Sequence, residues 1–428
     1  MRVLLVYPKP DLIEFDTTHT IPLGLAYLGA FLEQAGHQVT ALDLNVQPDT
    51  LEEQAREHDV VGFYMITATA KATWREAARV KAANPRAYVI VGGPHPTVLP
   101  EESLAFSQID AVARNEAEET MVEFVEAVAC GADWGTITGL SYRRPGGEIV
   151  HNPARKFNKD LDAYPFPAYH LFPMHKYQPT RPTWIAQVGI RAGSMMTSRG
   201  CPYTCNFCTS SRLSPYAKKF RFRSPRNVVD EILYLMDRFQ VNFIEFQDDV
   251  FNLIPKRSIE ICRLMIDEGI QISWSIPNGI SRVENVSREF LEVAKASGCI
   301  DVWYAAESGS PRIREQIIGK RSSMDDVRNA VSLSRALGFD TGAFFIFGNP
   351  DETREDMQMT IDFALSLPID RAQFSIATPF PGTTYYHLAK TQGRLLVEDW
   401  NMYGPFENTV FFEVGATKAV EVLEMYKT

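Results

Sequence analysis

No stretch of this 428-residue chain approaches the roughly 20 consecutive apolar residues that span a bilayer. The opening run Met1-Arg2-Val3-Leu4-Leu5-Val6-Tyr7 is stopped at Pro8, too soon for a secretory leader. A cytoplasmic protein without a membrane span is expected. Basic residues are also short, 43 Lys and Arg against 53 Asp and Glu, for a net charge of −10. Nucleic acid is therefore not an expected partner, because phosphate contacts need clustered cations. The one basic cluster, Lys218-Lys219-Phe220-Arg221-Phe222-Arg223, reads as a solvated loop beside the cysteines rather than a phosphate site. Histidine is scarce, 8 in all, and the next one after the clustered cysteines is His387, so the spacing of a structural zinc site is missing. Cys130, Cys262 and Cys299 stand singly, and a disulfide would be odd in a chain without a secretory segment.

What the chain does have is Thr197-Ser198-Arg199-Gly200-Cys201-Pro202-Tyr203-Thr204-Cys205-Asn206-Phe207-Cys208. Three thiols fall within eight residues, at separations of four and three. Three cysteines can ligate three irons of a [4Fe–4S] cluster, whereas a fully protein-capped cluster needs four. The uncapped iron is then free to bind a small molecule.

The length calls for two domains and a small tail. In the first part, strands at 3–7, 39–42, 60–66, 88–91 and 111–113 alternate with helices at 22–34, 74–83 and 118–129. That alternation predicts an α/β, doubly wound parallel sheet with ligands at the strand C-termini. The segment 141–150, centred on Pro145-Gly146-Gly147, reads as a hairpin, and 164–173 as a proline-punctuated connector. From residue 193 strands end near Ser198, Gln247, Ser275, Ala305, Phe347 and Thr378, with helices at 228–239, 258–268, 288–296, 325–337, 355–367 and 384–391. Val228, Ile232, Leu235 and Phe239 fall on one helical face. Six strand–helix units make a partial (β/α) barrel whose chemistry sits at the strand C-termini. The domains expected are 1–135, a hairpin and connector at 136–190, the barrel at 191–391, and a closure segment at 392–428 carrying Trp400, Tyr403, Phe406, Phe411 and Phe412.

The cysteine pattern resembles that of the radical S-adenosylmethionine (SAM) superfamily. The resemblance implies that the open iron chelates the amino and carboxylate groups of SAM and reduces its sulfonium to release a 5′-deoxyadenosyl radical. It extends through the barrel half. There, Asp248 or Asp249 would accept from the SAM ammonium, and Glu307, followed by Ser308, would accept from the ribose hydroxyls. Phe347-Gly348 and Pro379 would border the adenine. Lys320-Arg321 offers a cation for the SAM carboxylate.

The N-terminal half resembles the cobalamin-binding domain placed ahead of the barrel in one large radical SAM class. The matching pieces are the opening strand, Pro22-Leu23-Gly24-Leu25-Ala26-Tyr27-Leu28, Gly36-His37, Val91-Gly92-Gly93-Pro94-His95-Pro96 and Arg114-Asn115-Glu116. Asn115 stands where that class usually has Gly. The cobalamin contacts implied are Thr67, Thr69, Gly92, Gly93, His95, Asn115 and Glu116. The Asp-x-His-x-x-Gly string that ligates cobalt in mutases is missing, and His95 reads as a residue stabilising the Gly-Pro turn. The cofactors implied are a [4Fe–4S] cluster, SAM and cobalamin, with a small-molecule substrate and an external one-electron reductant of the flavodoxin or ferredoxin type. The activity implied is methyl transfer to an unactivated carbon or phosphorus centre. A first SAM would supply the radical, and a second would remethylate the corrinoid held over the barrel mouth. The alternatives are a non-methylating oxidoreductase or cyclase of the anaerobic porphyrin-cyclase type, and a corrinoid sensor with a vestigial barrel. A methylthiotransferase is disfavoured, since its N-terminal domain brings three more cysteines and this one has only Cys130.

Overall fold

The computed structural model describes residues 1–12, 20–179, 189–210, 219–404 and 408–428. Lys218 and Phe406, named above, lie outside them. The chain forms two compact units. The first is Met1–Lys159 with Ala163–Gln178 and Asp399–Gly404; the second is Asp160–Asp162, Pro179–Glu398 and Pro405–Thr428.

In the first unit β1 (Arg2–Tyr7), α1 (Leu23–Gln34), β2 (Gln38–Asp43), α2 (Leu51–Glu57), β3 (Val60–Tyr64), α3 (Ala70–Ala83), β4 (Tyr88–Gly92), α4 (Pro94–Val98), α5 (Pro100–Leu104), β5 (Ala111–Ala113), α6 (Glu118–Cys130), β6 (Leu140–Arg143) and β7 (Ile149–His151) follow in order. The sheet runs β2-β1-β3-β4-β5-β6-β7. Its first five strands are parallel and the last two antiparallel. Val3 to Val6 are all buried, as expected of a strand covered on both faces. Leu4 and Val6 join a core with Leu51, Ala77 and Val80 of α2 and α3. Leu5 instead meets Gly62 from the face that also carries Met121 of α6. The 141–150 hairpin is the antiparallel edge of this sheet, since β6 pairs with the otherwise open side of β5. Pro94-His95-Pro96, which follow Gly93 in the Gly-Pro turn, open a short helix, with Pro94 in the first turn, where its missing N–H costs nothing.

The second unit contains β8 (Ala192–Met195), β9 (Ser198–Arg199), β10 (Arg221–Phe222), α7 (Pro225–Phe239), β11 (Phe243–Phe246), α8 (Pro255–Asp267), β12 (Ser273–Ser275), α9 (Arg288–Ala296), β13 (Asp301–Glu307), α10 (Met324–Ala336), β14 (Asp340–Phe347), α11 (Arg354–Ser366), β15 (Arg371–Ile376), α12 (Thr384–Thr391), β16 (Arg394–Leu395), β17 (Phe412–Glu413) and α13 (Ala419–Tyr426). Parallel strands β8-β11-β12 and β13-β14-β15 form two arcs. Bridges from Trp274 to Cys299 and from Ile280 to Tyr304 join the arcs into a six-stranded partial barrel. Ser224, Ser287, Ser323, Thr353 and Thr383 each accept a main-chain N–H three residues on and so fix where five of the helices start. In the tail, α13 packs Val422 and Met425 onto Phe347 and Met357.

Candidate functional site

A cleft of about 320 Å³ at the C-terminal ends of the barrel strands is lined by Cys201, Cys205, Cys208, Asp249, Glu307 and Lys320, among others. The cysteine loop leaves β9 and returns through β10, which pairs antiparallel with it. Burial pushes the Cys201 thiol up to about 12. It raises Cys205 as well, with nearby Lys320 opposing the rise. These thiols stay protonated until a metal displaces the proton. Among the described residues no three side chains converge as on a single metal ion. A cubane asks for no such convergence, because each thiolate ligates a different iron.

The two acidic candidates after β11 separate. Asp249 lines the cleft and accepts from Ser210 Oγ at 3.1 Å. Asp248 is buried at 1 % exposure. It accepts from Thr197 N and Thr197 Oγ1, each at 2.6 Å, and from Ser198 Oγ. Its carboxylate is committed to the start of the cysteine loop and does not line the cleft, so of the two candidates Asp249 is the one that faces it. Arg257 braces the same loop by donating to Thr197 O at 2.6 Å and Arg223 O at 2.8 Å.

Glu307 sits at a bulge at the end of β13 with φ +65°. Its carboxylate lies 3.1 Å from Lys320 Nζ, and both side chains are only 8 % exposed. Arg321 also lines the cleft. Ser308 does not. It is fully buried and shares a hydrogen bond of 3.0 Å with Thr360. Phe347 and Gly348 are covered by Val422 of α13, and neither they nor Pro379 line the cleft. Sequence reasoning missed Tyr203 and Arg282. The Arg282 guanidinium stands 5.5 Å over the Tyr203 ring and donates to its hydroxyl, while Nε pairs with Glu284 at 2.7 Å. The available signal was positional: Tyr203 lies inside the cysteine motif and Arg282 follows the end of β12.

In the first unit the candidates gather at the ends of β3, β4 and β5. His95 is buried. Its Nε2 lies 3.0 Å from Glu102 Oε2 and its Nδ1 3.4 Å from Thr67 Oγ1. Glu102 in turn accepts from Trp400 Nε1 at 2.9 Å, and the His95 ring meets Trp400 and Trp74 edge-on at 5.3 and 6.4 Å. Both ring nitrogens are thus engaged. Thr69 caps its own turn through Ile66. Gly92 ends β4, and Gly93, with φ +122°, passes so close that a Cβ would lie 2.5 Å from Met65 O. Asn115, with φ +68°, donates its amide to Thr97 Oγ1 at 2.9 Å, and Glu116 follows it. Asn115 Oδ1 is buried without a partner among the described residues, which fits a ligand rimmed with amide N–H groups, as a corrinoid is. Tyr7 and Tyr64, unforeseen, end the neighbouring strands β1 and β3 with rings 5.4 Å apart. That is where strand order reverses and ligands of such sheets bind. Beside them Asp43 accepts from Tyr177 at 2.9 Å.

The B12 binding domain family matches residues 15–125, and the radical SAM superfamily matches residues 195–364. An uncharacterized methyltransferase of Pyrococcus horikoshii is 36% identical over 94% of this chain and 86% of its own length. An anaerobic magnesium-protoporphyrin IX monomethyl ester cyclase of Rubrivivax gelatinosus is 28% identical over 89% of this chain and 68% of its own. The fold matches the radical SAM methyltransferase TsrM from Kitasatospora setae, solved with cobalamin and a [4Fe–4S] cluster. The TM-score is 0.74, with 19% identity, over 94% of this chain and 81% of that one. The cysteine cleft on a partial barrel and the open rim of the N-terminal sheet are thus accounted for together: the chain belongs to the radical SAM enzymes that carry an N-terminal cobalamin-binding domain.

Proposed function

We propose that the enzyme transfers a methyl group from SAM to an unactivated carbon or phosphorus centre of a small molecule. When bound, the cluster and SAM supply a 5′-deoxyadenosyl radical, and cobalamin carries the methyl group. The chain's own residues bind and orient. Cys201, Cys205 and Cys208 hold the cluster, Asp249 faces the SAM ammonium, Glu307 the ribose, and Lys320 or Arg321 the carboxylate. Tyr7, Tyr64 and Asn115 line the corrinoid rim, and His95 holds that rim in shape. A one-electron donor of the flavodoxin or ferredoxin type would reduce the cluster, and a cytoplasmic setting would keep its thiols reduced.

The observation that carries this reading is the pairing of a cobalamin domain with an intact cysteine cleft in one chain, joined to the 36% identity with a protein named a methyltransferase. The cyclase stands as the second reading, because a relative so named is 28% identical over 89% of the chain. SAM deuterated in its methyl group, incubated anaerobically with reduced enzyme and an extract of the source organism, tests the choice. A small molecule heavier by an intact trideuteromethyl group supports transfer. Substrate oxidised without label, with 5′-deoxyadenosine accumulating, supports the cyclase.

A further inference from the structure

Arg314 is 1 % exposed, yet among the described residues no carboxylate lies within hydrogen-bond reach of its guanidinium. Nε donates to Ser322 O at 2.9 Å, Nη2 to Ser322 Oγ at 2.7 Å, and Nη1 to Ala306 O. All its side-chain hydrogen bonds go to neutral acceptors, while the charge of Glu307, and of Asp326 after it, offsets part of the burial that disfavours the cation. Its acceptors explain its presence. Ala306 immediately precedes Glu307, and Ser322 lies two residues beyond Lys320, so one planar fork ties together both ends of the segment that bears the Glu307–Lys320 pair. The main chain of Arg314 adds to this, its carbonyl accepting from Gly319 N at 3.1 Å and Lys320 N at 2.9 Å.

Arg314 belongs to a π-helical turn, Ile313–Ile318, a conformation found mostly as single turns and often at functional sites. The last carbonyls of that turn do not face solvent. Ile317 O accepts from Asn206 Nδ2 at 2.7 Å and Ile318 O from Asn206 N at 3.0 Å. Asn206 lies directly after Cys205 and two residues before Cys208. The same turn therefore grips the cysteine loop on one side and the charged pair on the other.

We propose that Arg314 is a positioning residue for SAM cleavage, fixing Glu307 and Lys320 at one distance from the three cysteines so that SAM presents its sulfonium to the cluster in a single pose. The proposal rests on family membership and not on methyl transfer, because every readout below precedes the fate of the radical. A misplacement of about 1 Å in such a site costs on the order of 100-fold in rate.

The test uses the full chain, reconstituted anaerobically, as Arg314→Met, Arg314→Lys and Ser322→Ala. Arg314→Met should keep wild-type iron content, bind SAM at least tenfold more weakly, and lose most of the SAM-induced change in the electron paramagnetic resonance (EPR) spectrum of the reduced cluster. 5′-Deoxyadenosine formation at saturating SAM should fall about 100-fold. Arg314→Lys should rescue little, since one ammonium cannot span Ala306 O and both Ser322 acceptors. Ser322→Ala, which removes one of those acceptors, should weaken SAM binding to an intermediate degree. Wild-type SAM affinity and an unchanged EPR response in Arg314→Met would overturn the proposal, as would full rescue by lysine. Should Arg314→Met fail to load iron, Ser322→Ala decides: wild-type affinity and spectrum there overturn it, and weakened binding with full iron supports it.

Discussion

Asp248 and Thr197 are joined twice: the carboxylate accepts from the Thr197 amide and from the Thr197 hydroxyl, each at 2.6 Å. This relationship places Asp248 beneath the cysteine loop, as part of its foundation. Asp248→Ala should leave a buried amide unsatisfied and Arg257 facing less negative charge, at a cost of roughly 3–5 kcal/mol. Iron loading should drop with stability. Asp248→Asn keeps one acceptor and should load iron with a smaller loss. If Asp248 bound SAM instead, Asp248→Asn would melt normally, carry full iron and lose SAM affinity. Melting curves, iron assays and SAM titration separate the two.

Reconstituted protein should hold about four irons per chain, as one [4Fe–4S] site requires. Replacing Cys201, Cys205 and Cys208 by alanine should abolish the signal. Cys262 and Cys299 are fully or nearly fully buried, so alanine there should cost stability, on the order of 1 kcal/mol, and leave the iron in place. A triple variant that kept its iron–sulfur absorption would contradict the assignment of the loop.

His95 should brace the corrinoid site without ligating cobalt. Both its ring nitrogens are satisfied by Glu102 and Thr67, so the bound Co(II) state should show no nitrogen splitting from a protein histidine in its EPR spectrum. His95→Ala should destabilise the first unit by roughly 2–4 kcal/mol, through the lost packing against Trp74 and Trp400 and the lost hydrogen bonds to Glu102 and Thr67. A histidine coupling that vanished in His95→Ala would reverse this assignment.

Glu352 gives the protein a pH dependence outside the cleft. It is almost fully buried. Burial pushes its carboxyl up to about 8, against hydrogen bonds from Asn349 that pull it down. Its second oxygen has no partner among the described residues. Because the folded state favours the proton, this stability is fully present below about 4.5 and is lost as pH rises to about 8. Across that window the contribution is roughly 3–5 kcal/mol at most. Glu352→Gln should flatten the decline in denaturant midpoint between pH 6 and 9, and an unchanged slope would show that another group titrates.

The architecture was legible because its signals are local. Apolar runs such as Val3 to Val6, serine and threonine caps such as Ser323 and Thr353, and the cysteine spacing all lie within a few residues. The site was legible only where a motif marks it. Asp248 and Asp249 are adjacent and chemically alike, and only the fold shows that one faces inward and the other into the cleft. Phe347 marks a strand end in the sequence, but nothing local to it announces the distant helix α13 that packs on it. The pairs Tyr203–Arg282 and His95–Trp400 join residues 79 and 305 positions apart, and no sequence window spans such distances. The hairpin at 141–150 was recognised, but its partner, the edge of β5, is a fact of tertiary pairing.

The coupling of a SAM-derived radical to methyl transfer in one chain shows itself in the products formed during turnover. A methyltransferase of this kind consumes two SAM molecules by different routes. Reduced enzyme loaded with cluster and cobalamin, turning over its substrate, should therefore release 5′-deoxyadenosine and S-adenosylhomocysteine in near-equal amounts. Robust 5′-deoxyadenosine with no S-adenosylhomocysteine would contradict the account and leave the cyclase reading in its place.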